Sequence, residues 1–122
     1  MMRWDRTQRS LEGAILASLR TIAPDGVDLA PPGYDGSILE SEDESDFAEA
    51  ACASAVQVLN DFQSDIMFQT HRQWPVDAMT LEVGIPCAEI SFWNSKIQTY
   101  FLFPSGKRLS MPPIELNSLI EE

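Results

Sequence analysis

Basic residues are missing from the middle of this chain. No lysine or arginine occurs between Arg20 and Arg72, although the 122-residue sequence holds 8 of them elsewhere. The chain has 19 acids and a formal net charge of −11. The residues outside this window balance, so the whole net charge belongs to residues 21–71, which we call the acidic stretch. Its eleven acids are Asp25, Asp28, Asp35, Glu40, Glu42, Asp43, Glu44, Asp46, Glu49, Asp61 and Asp65.

Other absences exclude whole classes of protein. So acidic a chain is disfavoured as a direct binder of nucleic acid or of an anionic membrane surface. Apolar runs such as TYFLF are far too short to span a membrane, and the charged N-terminal residues lack the apolar run of a signal peptide. Two cysteines, Cys52 and Cys87, are too few for a disulfide framework. We therefore expect a reduced, cytoplasmic protein.

The hydrophobic fraction of 44% is that of a globular protein, and the length fits a single domain over residues 1–122. Leu11, Ile15 and Leu19 recur at helical spacing and predict a helix over about 5–22. An acidic loop rich in proline and glycine is expected over about 23–40. A long helix is predicted over about 42–70, because Ser41 and Glu44 match a capping box and an apolar stripe from Phe47 to Ile66 follows.

Strand patterns fill the rest of the chain, over about 78–111. Met79, Leu81 and Val83 alternate with polar residues, CAEISFW and IQTYFLF follow, and RLSM gives a short fourth strand. The tail, 112–122, has room for one or two helical turns. Helices followed by strands predict an α+β domain, with two N-terminal helices packed on one face of an antiparallel meander of about four strands.

Catalytic signatures are missing as well. His71 is the only histidine and stands where a cation would complement the end of the long helix. Cys52 falls on the apolar helix face and Cys87 lies beside Pro86, and neither setting is obviously electropositive. The acids lack the spacing of an EF-hand calcium loop. We expect no enzyme activity, no cofactor and no metal site.

The acid cluster from Glu40 to Glu49 allows two interpretations. One is a solvated loop followed by a capped helix N-terminus. The other is an interface for a basic protein, since a field of one sign steers oppositely charged partners. The candidate binding residues are Tyr34, as an aromatic anchor, and Asp35, Glu40, Glu42, Asp43, Glu44, Asp46 and Glu49.

Aromatic residues suggest a second surface. If Ala88, Ile90 and Phe92 face the helices, Trp93 lies on the opposite face of the sheet. In the next strand either Tyr100 or the pair Phe101 and Phe103 must also point away from the helices. Trp93 and Tyr100 are thus candidates for an exposed aromatic patch of the kind found at interfaces, unless a loop or the tail covers them.

In size, acidity and order of elements the chain resembles the immunity proteins of bacterial toxin–immunity systems, including those of contact-dependent growth inhibition. The resemblance implies a protein that binds and neutralises one cognate basic toxin domain, commonly a nuclease. The alternative is a small acidic secretion chaperone of the type III kind, which holds an effector segment along exposed apolar grooves. A single apolar stripe on the long helix, which the sheet would cover, favours the immunity interpretation.

Overall fold

The computed structural model describes residues 2–30, 33, 47–91 and 96–115. Among these residues two helices, α1 (Met2–Leu19) and α2 (Phe47–Thr70), precede four strands. The strands are β1 (Ile85–Ser91), β2 (Lys96–Leu102), β3 (Arg108–Ser110) and β4 (Ile114–Glu115), and they form one antiparallel sheet. This confirms the predicted α+β class with helices before strands.

Helix α1 buries one face, as its spacing predicts. Leu11, Ile15 and Leu19 are fully buried, one helical turn apart. The regular helix ends at Leu19, three residues earlier than predicted, and a turn follows in which the amide of Ala23 donates to the carbonyl of Leu19 at 2.9 Å. Ile22 therefore packs against the core from a turn and not from the helix.

Helix α2 is the centre of the fold. Its apolar stripe is buried throughout its described part: Ala51, Ala55, Val58, Phe62 and Ile66 are at most 2% exposed. One flank of α2 contacts α1 and the other contacts β1. The helix ends at Thr70 as predicted, and His71 follows with a φ of 56°, the left-handed backbone that closes many helices. The start predicted near residue 42 lies outside the described residues.

Strand β2 is the central strand of the sheet. It pairs with β1 along its whole length, from Ile85 opposite Leu102 to Ser91 opposite Lys96. Ile97, Thr99 and Phe101 lie on the face that meets α2 and are fully buried. A buried central strand explains why the sequence from 97 to 103 is apolar at both alternating sets of positions.

The other edge of β2 is shared by two short strands. Tyr100 pairs with Ser110 of β3, whereas Ile97 pairs with Ile114 of β4. Between these two pairs β2 spans three positions, from Tyr100 to Ile97, whereas the opposite chain spans four, from Ser110 to Ile114. One extra residue on one of two paired strands is a β-bulge. Pro112 and Pro113 lie in the bulged stretch, where the missing proline N–H groups cost no ladder bond.

One sequence-based prediction is wrong in this half of the chain. Residues 79–83 do not form a strand: the segment is a loop closed by an isolated bridge between Val76 and Val83. The cause is Asp77, whose carboxylate accepts from the amide of Met79 at 3.0 Å and whose backbone bonds to Glu82 and Leu81. At the start of the tail Ile114 and Glu115 pair with β2, and the rest of the tail, with room for one or two helical turns, lies outside the described residues.

Candidate functional site

Most of the predicted interface falls on residues that the structure does not describe. Glu49 is described and is exposed in the first turn of α2. Seven further candidates lie outside the described residues: Tyr34, Asp35, Glu40, Glu42, Asp43, Glu44 and Asp46. Trp93 lies outside them as well. The part of the acidic surface whose geometry is known therefore comes from Glu49 and from Asp25, Asp28, Asp61 and Asp65, which were not among the candidate binding residues.

Tyr100 is not an exposed aromatic residue. It points away from the helices, while Phe101 and Phe103 point into the core, yet only 8% of it is exposed. The guanidinium carbon of Arg108 lies 4.3 Å from the centroid of the Tyr100 ring, and the same guanidinium contacts the carboxylate of Glu89 at 3.1 Å. Burial, and then the charge of Glu89, raise the pKa of Tyr100. Tyr100 therefore does not contribute to the expected exposed aromatic patch, because its ring is covered.

The described acids of the acidic stretch gather along α2. Glu49 begins the helix, and Asp61 and Asp65 are half-buried on it, one helical turn apart. Asp25 and Asp28 are exposed on the segment that leaves α1. The ion pairs Lys107–Asp77 and Arg108–Glu89 both use acids from outside the acidic stretch. Lys107 and Arg108 thus pair with acids of their own half of the chain.

Gln69 brings Asp28 to the end of α2. The amide of Asp28 donates to Gln69 Oε1 at 2.9 Å, and Gln69 Nε2 donates back to the carbonyl of Asp28 at 2.6 Å. One side-chain amide thereby satisfies both backbone groups of a residue 41 positions away. Gln69 stands one helical turn after Asp65, so the clasp brings the backbone of Asp28 to the end of α2 that also carries Asp65.

A buried carboxylate lies between α1 and the chain that follows it. Glu12 is fully buried, and its two oxygens accept from Gln8 Nε2 at 2.9 Å and from the amide of Gly33 at 3.0 Å. Ser54 of α2 donates to Gln8 Oε1 at 2.8 Å. The network joins α1, α2 and Gly33 through hydrogen bonds that offset the cost of burying a charge.

The sequence analysis predicted neither the clasp between Gln69 and Asp28 nor the network around Glu12, for different reasons. Gln8 and Glu12 share a helix face with Leu11 and Ile15, and polar residues on an apolar face are a signal that was available. No such signal points to Gln69, because only the folded path of the chain brings its partner, Asp28, next to it.

The loop between Pro75 and Gly84 is held rigidly and presents apolar side chains. Gln63 donates to the carbonyls of both Trp74 and Gly84, which closes the base of the loop. At its tip Met79 and Leu81 are 82% and 72% exposed. Sequence reasoning placed these residues in a strand and so missed the loop.

A cleft and the Cys52 thiol bear on catalysis in the part of the chain that the structure describes. An open cleft of about 430 Å³ is lined by Pro24, Asp25, Thr70, Arg72, Gln73 and Trp74, which bring together one carboxylate and one guanidinium. Burial, followed by the charges of Glu89 and Glu49, raises the pKa of Cys52 to about 11, so its thiol stays protonated at neutral pH. Within residues 2–30, 33, 47–91 and 96–115, no group of three or more metal-binding side chains is found.

Two findings complete the description. No helix in the described part of the chain has the length and apolar character needed to cross a membrane. No protein-family model matches the sequence, and neither a curated protein nor a solved structure is detectably similar to it.

Proposed function

We propose that this protein is an immunity protein that binds a basic toxin domain, a nuclease, and neutralises it through its acidic surface. The observation that carries the proposal is the acidic stretch, in which eleven acids occur between Arg20 and Arg72 without a lysine or an arginine. A nuclease must present a basic surface to phosphate, and an acidic protein is drawn to the same surface.

The described geometry supports this proposal in one respect. Three described acids of the stretch, Glu49, Asp61 and Asp65, stand on α2, whose apolar face is buried in the core. Carboxylates fixed on a rigid element lose less conformational freedom on binding than those on a flexible chain. A preorganised acidic surface suits tight inhibition better than transient, non-specific attraction.

The deciding experiment is a pull-down from the native host at low salt with the tagged protein as bait. The proposal expects one basic domain at near-equal stoichiometry, with nuclease activity that the bait suppresses. A matched bait with three acids of the cluster changed to lysine, Glu42, Asp43 and Glu44, is the control for specific capture. Recovery of an extended secreted protein, or of no partner other than the chain itself, would contradict the proposal.

Exposed apolar side chains favour a second candidate, a secretion chaperone. Phe68, Met79, Leu81 and Ile85 are between 59% and 82% exposed, whereas the main stripe of α2 is buried in the core. A chaperone of this kind is a dimer and binds through apolar surface. Light scattering of the purified protein, with Met79→Ser and Leu81→Ser as variants, separates the two. A dimer, and effector binding that those variants abolish, would support the chaperone.

A further inference from the structure

We propose that the segment after α1 is a strap held by two side-chain latches that open in a fixed order, Gln69 first and Glu12 last. The strap consists of residues 20–30 and Gly33. It carries the exposed acids Asp25 and Asp28, and the first latch holds the backbone of Asp28. The proposal concerns the fold alone and does not depend on the identity of a partner.

The first latch is exposed to water. Both hydrogen bonds between Gln69 and the backbone of Asp28 lie at the surface, and Gln69 is itself an exposed residue at the end of α2. Water competes for such bonds, so each contributes little net stability. This latch opens at low cost, like the frayed end of an element.

Leu29 follows directly after the first latch and is only 7% exposed. It belongs to the same core cluster as Ile15 and Leu19 of α1, and the half-buried Val27 packs against that cluster. Opening the strap beyond Asp28 therefore exposes apolar surface, which costs more than breaking the outer bonds. Burial of the Leu29 side chain therefore adds to the free energy needed to open the strap from the first latch to the second.

The second latch is part-buried and shared with the helices: Glu12 is fully buried, whereas Gly33 is exposed. The amide of Gly33 donates to Glu12 Oε1, while Glu12 Oε2 accepts from Gln8, which is bonded to Ser54 of α2. Removing Gly33 from Glu12 would leave a fully buried carboxylate oxygen without that donor, and this penalty exceeds the loss of an exposed bond. The inner latch should accordingly hold while the outer one opens.

Amide hydrogen exchange measured by NMR on the intact chain tests the order of opening. In the wild type, the amide of Gly33 should be better protected than that of Asp28. Gln69→Ala should lower the protection of Asp28 by about two- to tenfold and leave that of Gly33 unchanged. Gln57→Ala, the same substitution at another exposed position of α2, is the matched control and should alter neither amide.

Glu12→Ala should lower the protection of both amides, because the strap then has no inner anchor. Glu12→Gln keeps a side-chain carbonyl that accepts from Gly33 and should restore most of the protection. Should Glu12→Ala not fold, Glu12→Gln and Gln69→Ala still decide the matter. Equal protection of the two amides in the wild type, or an equal loss at both in Gln69→Ala, would overturn the proposed order.

Proteolysis gives an independent measurement. A protease that cleaves before aspartate can cut the strap at Asp25 and Asp28, and mass spectrometry identifies each cut. Gln69→Ala should speed cleavage at Asp28 relative to Gln57→Ala, while both variants unfold at the same temperature. Unchanged cleavage at Asp28 in Gln69→Ala would show that the outer bonds do not hold the strap.

Discussion

Arg108 covers Tyr100 on the face of the sheet that points away from the helices. The guanidinium carbon stands 4.3 Å from the ring centroid. Glu89 Oε1, on strand β1, contacts Arg108 Nη1 at 3.1 Å. The three residues come from three adjacent strands, β1, β2 and β3. A cation over an aromatic face is stabilising, and here it also removes an aromatic ring from solvent.

Charge reversal in the acid cluster should weaken partner binding much more than folding. Changing Glu42, Asp43 and Glu44 to lysine should slow association with the basic partner about tenfold or more at low salt. Stopped-flow association at several salt concentrations measures this, and the wild-type rate should fall steeply towards physiological salt. The control changes Glu82, Glu121 and Glu122, which alters the net charge equally outside the acidic stretch. Equal loss of binding and stability in the cluster variant would make the cluster structural.

Phe62→Ala should destabilise the protein by about 3–5 kcal/mol, since Phe62 is 2% exposed at the centre of the core. Phe68→Ala is the matched control, because Phe68 lies on the same helix and is 77% exposed. Its effect should be within about 0.5 kcal/mol. Urea unfolding followed by circular dichroism measures both free energies. Similar values for the two variants would place Phe62 outside the core.

Gly84→Ala should also be destabilising, by about 1–3 kcal/mol. A Cβ at this position would stand 2.9 Å from the Cβ of Phe101 and 3.2 Å from Pro75 Cγ, and both neighbours are constrained by packing. Gly13→Ala is the control: its Cβ would meet nothing within 4 Å, and alanine in a helix interior should stabilise by about 0.5–1 kcal/mol. Opposite signs of the two changes in urea midpoint are the expected result.

Leu81→Gly should stabilise the loop tip. Leu81 has a φ of 62°, a left-handed backbone that costs a residue with a Cβ about 1–2 kcal/mol, and its side chain is 72% exposed. Glycine removes that strain at a smaller entropic cost, so the net gain should be about 0.5 kcal/mol. Met79→Gly, at the other exposed apolar residue of the tip, should instead lower the melting temperature. A loss of stability in both variants would contradict the strain at Leu81.

Asp77 should make stability depend on pH. The amide of Met79, and then the charge of Lys107, lower the pKa of this carboxyl below its ordinary value. A depressed pKa in the folded state favours the ionised form, so the stabilisation is present at neutral pH and is lost as the pH falls through the folded-state pKa. Asp77→Asn should show a flatter decline of unfolding free energy below about pH 4 than the wild type. Glu82→Gln is the control, and an identical acid decline in Asp77→Asn and the wild type would contradict this role.

Periodicity predicted the helices and most of the sheet because burial on one face leaves a regular trace in the sequence. The stripe from Ala51 to Ile66 follows from spacing, and the end of α2 near Thr70 follows from Pro75, which forbids continuation of the helix. Residues 79–83 show where this reasoning fails. Alternation alone favours a strand there. The Asp77 carboxylate, however, accepts a hydrogen bond from the Met79 amide, and this bond stabilises a loop in place of the strand.

The sequence by itself determined the charge of this protein and where along the chain it lies, because net charge is a sum over residues that needs no coordinates. It also determined which helix face is apolar. Only the tertiary structure decided that Gln69 holds Asp28, that Glu12 holds Gly33 and that Arg108 covers Tyr100. These contacts join residues that are 41, 21 and 8 positions apart, so which residues pair depends on how the whole chain packs and is not specified by a local sequence pattern.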